Sequence, residues 1–126
     1  MNVVDSSGWV EYAADDENAG FFARPIRDGE NLLIPTVCIY EVFKRVLREF
    51  GEERALEVIA QMSSGIIVDL DRQIAINAAK ISDESKLAMA DSIILATAQA
   101  HNATLWTQDE HFKDIKSVKY IEKKYK

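Results

Sequence analysis

Leu87-Ala88-Met89-Ala90-Asp91-Ser92-Ile93-Ile94-Leu95-Ala96-Thr97-Ala98-Gln99-Ala100-His101-Asn102, followed by Ala103-Thr104-Leu105-Trp106-Thr107-Gln108-Asp109, decides the fold. Leu87, Asp91, Ile94, Leu95 and Ala98 share one helical face. The spacing predicts a helix from Leu87 to His101, ended by Asn102. Thr104-Leu105-Trp106 then reads as a short buried strand. The same alternation runs outward along the chain. Asn2-Val3-Val4-Asp5 reads as a first strand, and Ser6 or Ser7 caps a helix through Ala14. Asp15 or Asp16 opens a helical stretch from Glu17 to Arg24, which stops before Pro25. Asp28-Gly29 marks a turn into the strand Asn31-Leu32-Leu33-Ile34. Thr36 caps a helix to Phe50 with Ile39, Phe43, Val46, Leu47 and Phe50 as its core stripe, and Gly51 ends it. A helix over Glu52–Met62 uses Ala55, Leu56, Ile59 and Met62. Ile66-Ile67-Val68 is a third strand. Asp71 caps a helix bearing Ile74, Ala75, Ala78, Ala79 and Ile81, with a polar break over Ser82–Lys86. Glu110–Phe112 reads as a helical turn and Val118–Ile121 as a last strand. Strands alternating with helices imply an α/β chain with a mainly parallel sheet covered on both faces.

At 126 residues the chain is read as one domain, 1–126, since it is short for two. Hydrophobic residues at 48% and charged residues at 29% place it with soluble globular proteins. Cys38 is the one cysteine. That excludes an internal disulfide and a cysteine-based zinc site, and it fits a cytoplasmic location. The N-terminus lacks the basic and long apolar regions of a signal peptide, and no apolar run approaches transmembrane length. The net charge of −6 argues against nonspecific nucleic-acid binding, unless several carboxylates are neutralised by an ion. The charge is uneven. Glu11 to Glu30 is acid-rich, while Lys113, Lys116, Lys119, Lys123, Lys124 and Lys126 load the C-terminal end. Lys44, Arg45 and Arg48 follow Glu41. For any single lysine a solvated face is the default.

Four acids stand apart: Asp5, Glu41, Asp91 and Asp109. A carboxylate in an apolar segment is costly unless a partner neutralises it. Asp5 ends the first strand, Asp109 lies just past the fourth, Glu41 is one to two turns into its helix, and Asp91 interrupts an apolar one. Ligands of open parallel sheets bind beyond the carboxyl ends of the strands, where the strand order reverses. Each acid has an ordinary alternative. Asp5 and Asp109 are suited to cap the turns that follow them, and Glu41 to pair with Lys44 or Arg45. Asp91 has no basic residue at helical spacing. Jointly, the four suggest one shared divalent cation, with hard oxygen donors favouring Mg²⁺ or Mn²⁺ over zinc.

Asp5-Ser6-Ser7, Thr36 with Glu41 five residues on, Ala90-Asp91-Ser92-Ile93-Ile94-Leu95-Ala96-Thr97-Ala98 and Leu105-Trp106-Thr107-Gln108-Asp109-Glu110-His111-Phe112 resemble the PIN domain, with the VapC-like toxins as the nearest group. The resemblance spans nearly the whole chain. It implies a three-layer α/β/α fold with a five-stranded sheet in the order 3-2-1-4-5. It implies a Mg²⁺- or Mn²⁺-dependent ribonuclease that leaves 5′-phosphate and 3′-hydroxyl ends. Asp5, Glu41, Asp91 and Asp109 match the family's acidic quartet, and Ser6 and Thr107 match its hydroxyl positions. Gln108 falls at a position often basic in relatives, which would remove one contact to RNA. Lys44, Arg45, Arg48 and Lys86 are candidates for the RNA backbone. The resemblance further implies a VapB-like antitoxin blocking the groove and a homodimer, for which the pair Thr36–Met62 offers a surface.

Other readings remain at this point. A housekeeping PIN nuclease and a non-catalytic PIN-fold interaction domain share the same motifs. A dinucleotide-binding domain needs a G-x-G-x-x-G turn, and Asp5-Ser6-Ser7-Gly8 supplies one glycine. A phosphoryl-transfer receiver would need a second acid near Asp5. His101, at a helix end, and His111, in a loop, are read as surface residues rather than as an acid–base pair. Cys38, Trp9, Phe43 and Trp106 are read as core.

Overall fold

The computed structural model describes residues 1–124, so Lys126 lies outside the described residues. Five strands form one sheet: β1 (Asn2–Val4), β2 (Leu32–Pro35), β3 (Ile66–Val68), β4 (Thr104–Thr107) and β5 (Val118–Tyr120). Their order is β3-β2-β1-β4-β5, as expected, and every pairing is parallel. Val3 pairs with Leu33 on one side and Leu105 on the other. Successive strand residues face opposite sides of a sheet. Val3 and Val4 are both fully buried, as are all four residues of β2, so helices cover both faces. The result is a three-layer α/β/α architecture.

The helices are α1 (Ser6–Ala13), α2 (Ala19–Ile26), α3 (Thr36–Phe50), α4 (Glu52–Met62), α5 (Arg72–Ser85) and α6 (Met89–Ala100), with 3₁₀ turns at Gly29–Asn31 and Glu110–Phe112. α5 packs on α6, α3 on α4, and α1 on both α2 and α3. Trp9, Phe22, Ile34, Val42, Leu105 and Phe112 fill the centre with no exposed surface. Cys38 and Trp106 are buried, and Phe43 packs partly buried on the same core.

Several local expectations shift. Asp5, not Ser6 or Ser7, caps α1. α2 begins later than expected, after Asp15 takes a left-handed turn at φ 53°, and it runs through Pro25 to Ile26. Burial of Phe22 and Ile26 on its inner face offsets the one hydrogen bond that proline cannot make. Thr36 is the first helical residue of α3 rather than its cap, which is Pro35. The buried stripe of α3 is Cys38, Val42 and Val46, while Leu47 and Phe50 stay exposed. α4 buries Val58 in place of Leu56. α5 continues through the expected polar break and stops only when Lys86 turns left-handed at φ 57°. β3 is an edge strand, so Ile66 and Ile67 are exposed despite their β-branched character. No helix among the described residues is long and apolar enough to cross a membrane.

Candidate active site

The carboxyl ends of β1 and β4 lie side by side, and each leads directly into a turn carrying an acid. Asp5 follows β1. Its carboxylate accepts from the Gly8 amide at 2.9 Å, from Ser7 Oγ at 2.9 and 3.0 Å, and from Thr107 Oγ1 at 2.8 Å. Asp109 follows β4 and caps the 3₁₀ turn, accepting from the His111 amide at 2.9 Å. Thr107 joins the two. Its hydroxyl donates to Asp5 and accepts from the Asp109 amide at 2.9 Å. Glu41 reaches in from the second turn of α3, where Ser6 Oγ donates to it at 2.6 Å. Asp91 enters from the first turn of α6.

All four acids line one groove of about 350 Å³, together with Ser6, Ser7, Tyr40, Lys44, Arg45 and Arg48. Burial pushes the Asp5 carboxyl up to about 7, against the pull of its hydrogen bonds and with the charge of Asp109 adding to the rise. Burial also lifts Asp91 to about 6, helped by the charges of Asp109 and Glu41 and opposed by His111. Burial thus disfavours the charged form of both carboxyls, and an added cation would favour it. Cys38 lies beneath these acids. Burial and their charges push its thiol up, which leaves it inert as a nucleophile.

Asp91, Asp109 and His111 each offer a ligand atom, and these atoms lie within 4.8 Å of one another. His111 Nδ1 is 2.8 Å from Asp109 Oδ1. Sequence reading set His111 aside as a surface residue. The available signal was its place two residues past Asp109, where a turn capped by Asp109 folds it back. Asp5 and Glu41 face the same groove but stand outside that group of three. Among the described residues the His101 ring hydrogen-bonds its own helix, at Thr97 O. Of the basic candidates, Lys44, Arg45 and Arg48 line the groove and Lys86 does not. Arg45 pairs with Glu49, and Lys44 sits over the Tyr40 ring. Gln108 is buried, with hydrogen bonds to Asn18 and Glu11.

Residues 3–118 match the PIN domain, and the chain belongs to that family. Similar solved structures agree with the fold. A toxin–antitoxin complex from Klebsiella pneumoniae is 23% identical, with 94% of this chain and 96% of that chain covered and a TM-score of 0.79. The sarcin-ricin loop cleaving toxin VapC20 of Mycobacterium tuberculosis is 16% identical, with 90% and 93% covered and a TM-score of 0.75. DNA-bound VapBC from Salmonella typhimurium is 18% identical, with 97% of each chain covered and a TM-score of 0.74. At these identities the likeness shows the fold alone. A comparison with curated proteins finds no match.

Proposed function

We propose that this chain is a Mg²⁺- or Mn²⁺-dependent endoribonuclease, and that it is the toxin of a toxin–antitoxin pair. Asp5, Glu41, Asp91 and Asp109 are its catalytic and metal-holding carboxylates. One observation carries the reading: four acids from four separate segments line a single groove. Membership of the PIN domain family supports the nuclease chemistry. The similar structures, among them a toxin–antitoxin complex and an RNA-loop-cleaving toxin, support the toxin role.

The donor set fits a divalent cation, with carboxylate oxygens dominant and His111 adding one nitrogen. Such an ion would polarise a phosphoryl oxygen and lower the pKa of a water at the site. The chain's own residues do the rest. Ser7 and Thr107 hold the Asp5 carboxylate in place and Ser6 holds Glu41, so these groups need no reordering when substrate arrives. Burial raises the carboxyl of Asp5 to about 7 and that of Asp91 to about 6, and a cation held by them would favour their charged forms. Lys44, Arg45 and Arg48 at the groove wall hold RNA phosphates.

The same reading assigns a VapB-like antitoxin to the acidic groove, a homodimer through Thr36–Met62, and a cytoplasmic location, which suits a single buried thiol. RNA cleavage assayed with Mg²⁺ or Mn²⁺, then with EDTA, tests the chemistry. Asp5→Asn and Asp91→Asn are each expected to lower the rate about 10²-fold or more. Equal cleavage in chelator rejects the metal mechanism. Growth arrest on expression, relieved by the product of the neighbouring reading frame, separates a toxin from an RNA-processing nuclease.

A further inference from the structure

Gln108 stands between two residues of the candidate site, Thr107 and Asp109, and its side chain turns away from both. It enters a buried polar cluster with Glu11 of α1 and Asn18 of the α1–α2 turn, all three at most 5% exposed. Asn18 Nδ2 donates to Gln108 Oε1 at 2.9 Å, and Gln108 Nε2 donates to Glu11 Oε1 at 3.0 Å. Glu11 also accepts from the Asn18 amide at 2.8 Å and from Lys123 Nζ at 3.2 Å. Asn18 Nδ2 reaches Glu122 O at 3.0 Å as well.

Only an amide of this length serves both ends. The Asn18 side needs an acceptor and the Glu11 side needs a donor. A lysine or arginine at 108 would remove one of the two acceptors of Asn18 Nδ2, leaving Glu122 O, and an ionised glutamate would set two carboxylates together. The cluster retains a cost, because Asn18 Oδ1 is buried without a partner. Local rules broken in this way tend to mark functional surroundings. The turn itself is held at three successive residues. Thr107 is held through Asp5 and through the Ile121 amide on its carbonyl, Gln108 through Asn18 and Glu11, and Asp109 through His111.

We propose that Gln108 is a positioning residue for the acidic site: its amide, clamped between Asn18 and Glu11, fixes the Thr107–Asp109 turn and thereby the place of the Asp109 carboxylate beside Asp91 and His111. This rests on the nuclease reading above. Supporting groups behind metal ligands are worth about 10- to 100-fold in metal affinity. A clamp that sets the reach of one ligand belongs in that range.

Calorimetric titration of the chelator-stripped chain with Mn²⁺, without RNA, is the test. Gln108→Met keeps the size and removes both hydrogen bonds, and it is expected to weaken Mn²⁺ binding about tenfold or more. A role confined to stability would lower Tm in Gln108→Met and leave the affinity of the folded protein unchanged, which overturns the proposal. If Gln108→Met does not fold, Asn18→Ala removes half of the clamp and is read in the same way. A natural chain that binds no Mn²⁺ sinks the nuclease reading and this inference together. One that binds Mn²⁺ and cleaves RNA, with Gln108→Met binding equally well, sinks this inference alone.

Discussion

Asp5 serves the helix and the groove with one carboxylate, so its capping and functional readings do not compete. It accepts from Gly8 as a cap while lining the groove with Asp91 and Asp109. Taken residue by residue, the acids were ambiguous in the sequence for this reason. Capping leaves an aspartate free to do something else. Asp109 repeats the case at the 3₁₀ turn. His111 is exposed, as its loop position implied, yet its ring lies beside Asp109 because the turn reverses direction within two residues, and no periodicity reports which way a loop side chain points. The position of Asp5 has a measurable cost. Its folded-state pKa of about 7 lies above the ordinary 3.8, so the folded chain binds more protons than the unfolded one between those values. Stability from this group is therefore present at low pH and lost as pH rises from about 4 to about 7, by an amount on the order of a few kcal/mol. Asp5→Asn removes the effect. In EDTA the variant is expected to melt above the natural chain at pH 7.5, with the gap closing toward pH 4. Thermal melts by circular dichroism across that range check it, and a gap independent of pH would show that burial does not strain this carboxylate.

Helices were easier to find than to orient. The existence of α3 and α4 follows from apolar spacing and from Gly51 between them, yet the buried stripe of α3 is Cys38, Val42 and Val46. The sequence reading had Val46 on this stripe, with Ile39 and Phe43, which pack partly buried beside it, and went astray at the bulkier Leu47 and Phe50, which are exposed. Apolar size marks a face that wants cover, and the cover need not come from the same chain. Leu47 on α3 and Leu56 on α4 are 42% and 54% exposed, on the helix pair assigned to the proposed dimer contact. Isolated exposed leucines are common, so the pairing is what bears testing. Leu47→Glu with Leu56→Glu is expected to shift the chain from dimer to monomer in sedimentation velocity, at unchanged helix content. A dimer that survives both charges places the contact elsewhere.

At the scale of the molecule, alternation of strands and helices gave the parallel sheet, but not its strand order. Order depends on which crossovers the chain takes, and no single segment encodes that. The resemblance to a known family supplied 3-2-1-4-5, and the pairing of β1 with both β2 and β4 bears it out. That order brings Asp5 and Asp109 together although 103 intervening residues separate them in the sequence. Whole-molecule charge poses a second problem, because a chain of net charge −6 must hold a polyanion. Lys44, Arg45 and Arg48 on α3 line the same groove as the acids. We propose Lys44 and Arg48 as the phosphate contacts to test, since Arg45 pairs with Glu49. Phosphate contacts release counterions, and each one lost lowers the salt slope of binding by about 0.7 for a single strand. Lys44→Ala with Arg48→Ala is expected to weaken RNA binding in EDTA, which withholds the metal, and to flatten that slope by roughly 1–1.5. Mn²⁺ affinity should hold, since neither side chain belongs to the carboxylate set. Fluorescence anisotropy against salt concentration reads the slope directly, and a slope equal to that of the natural chain would move the RNA off α3 altogether.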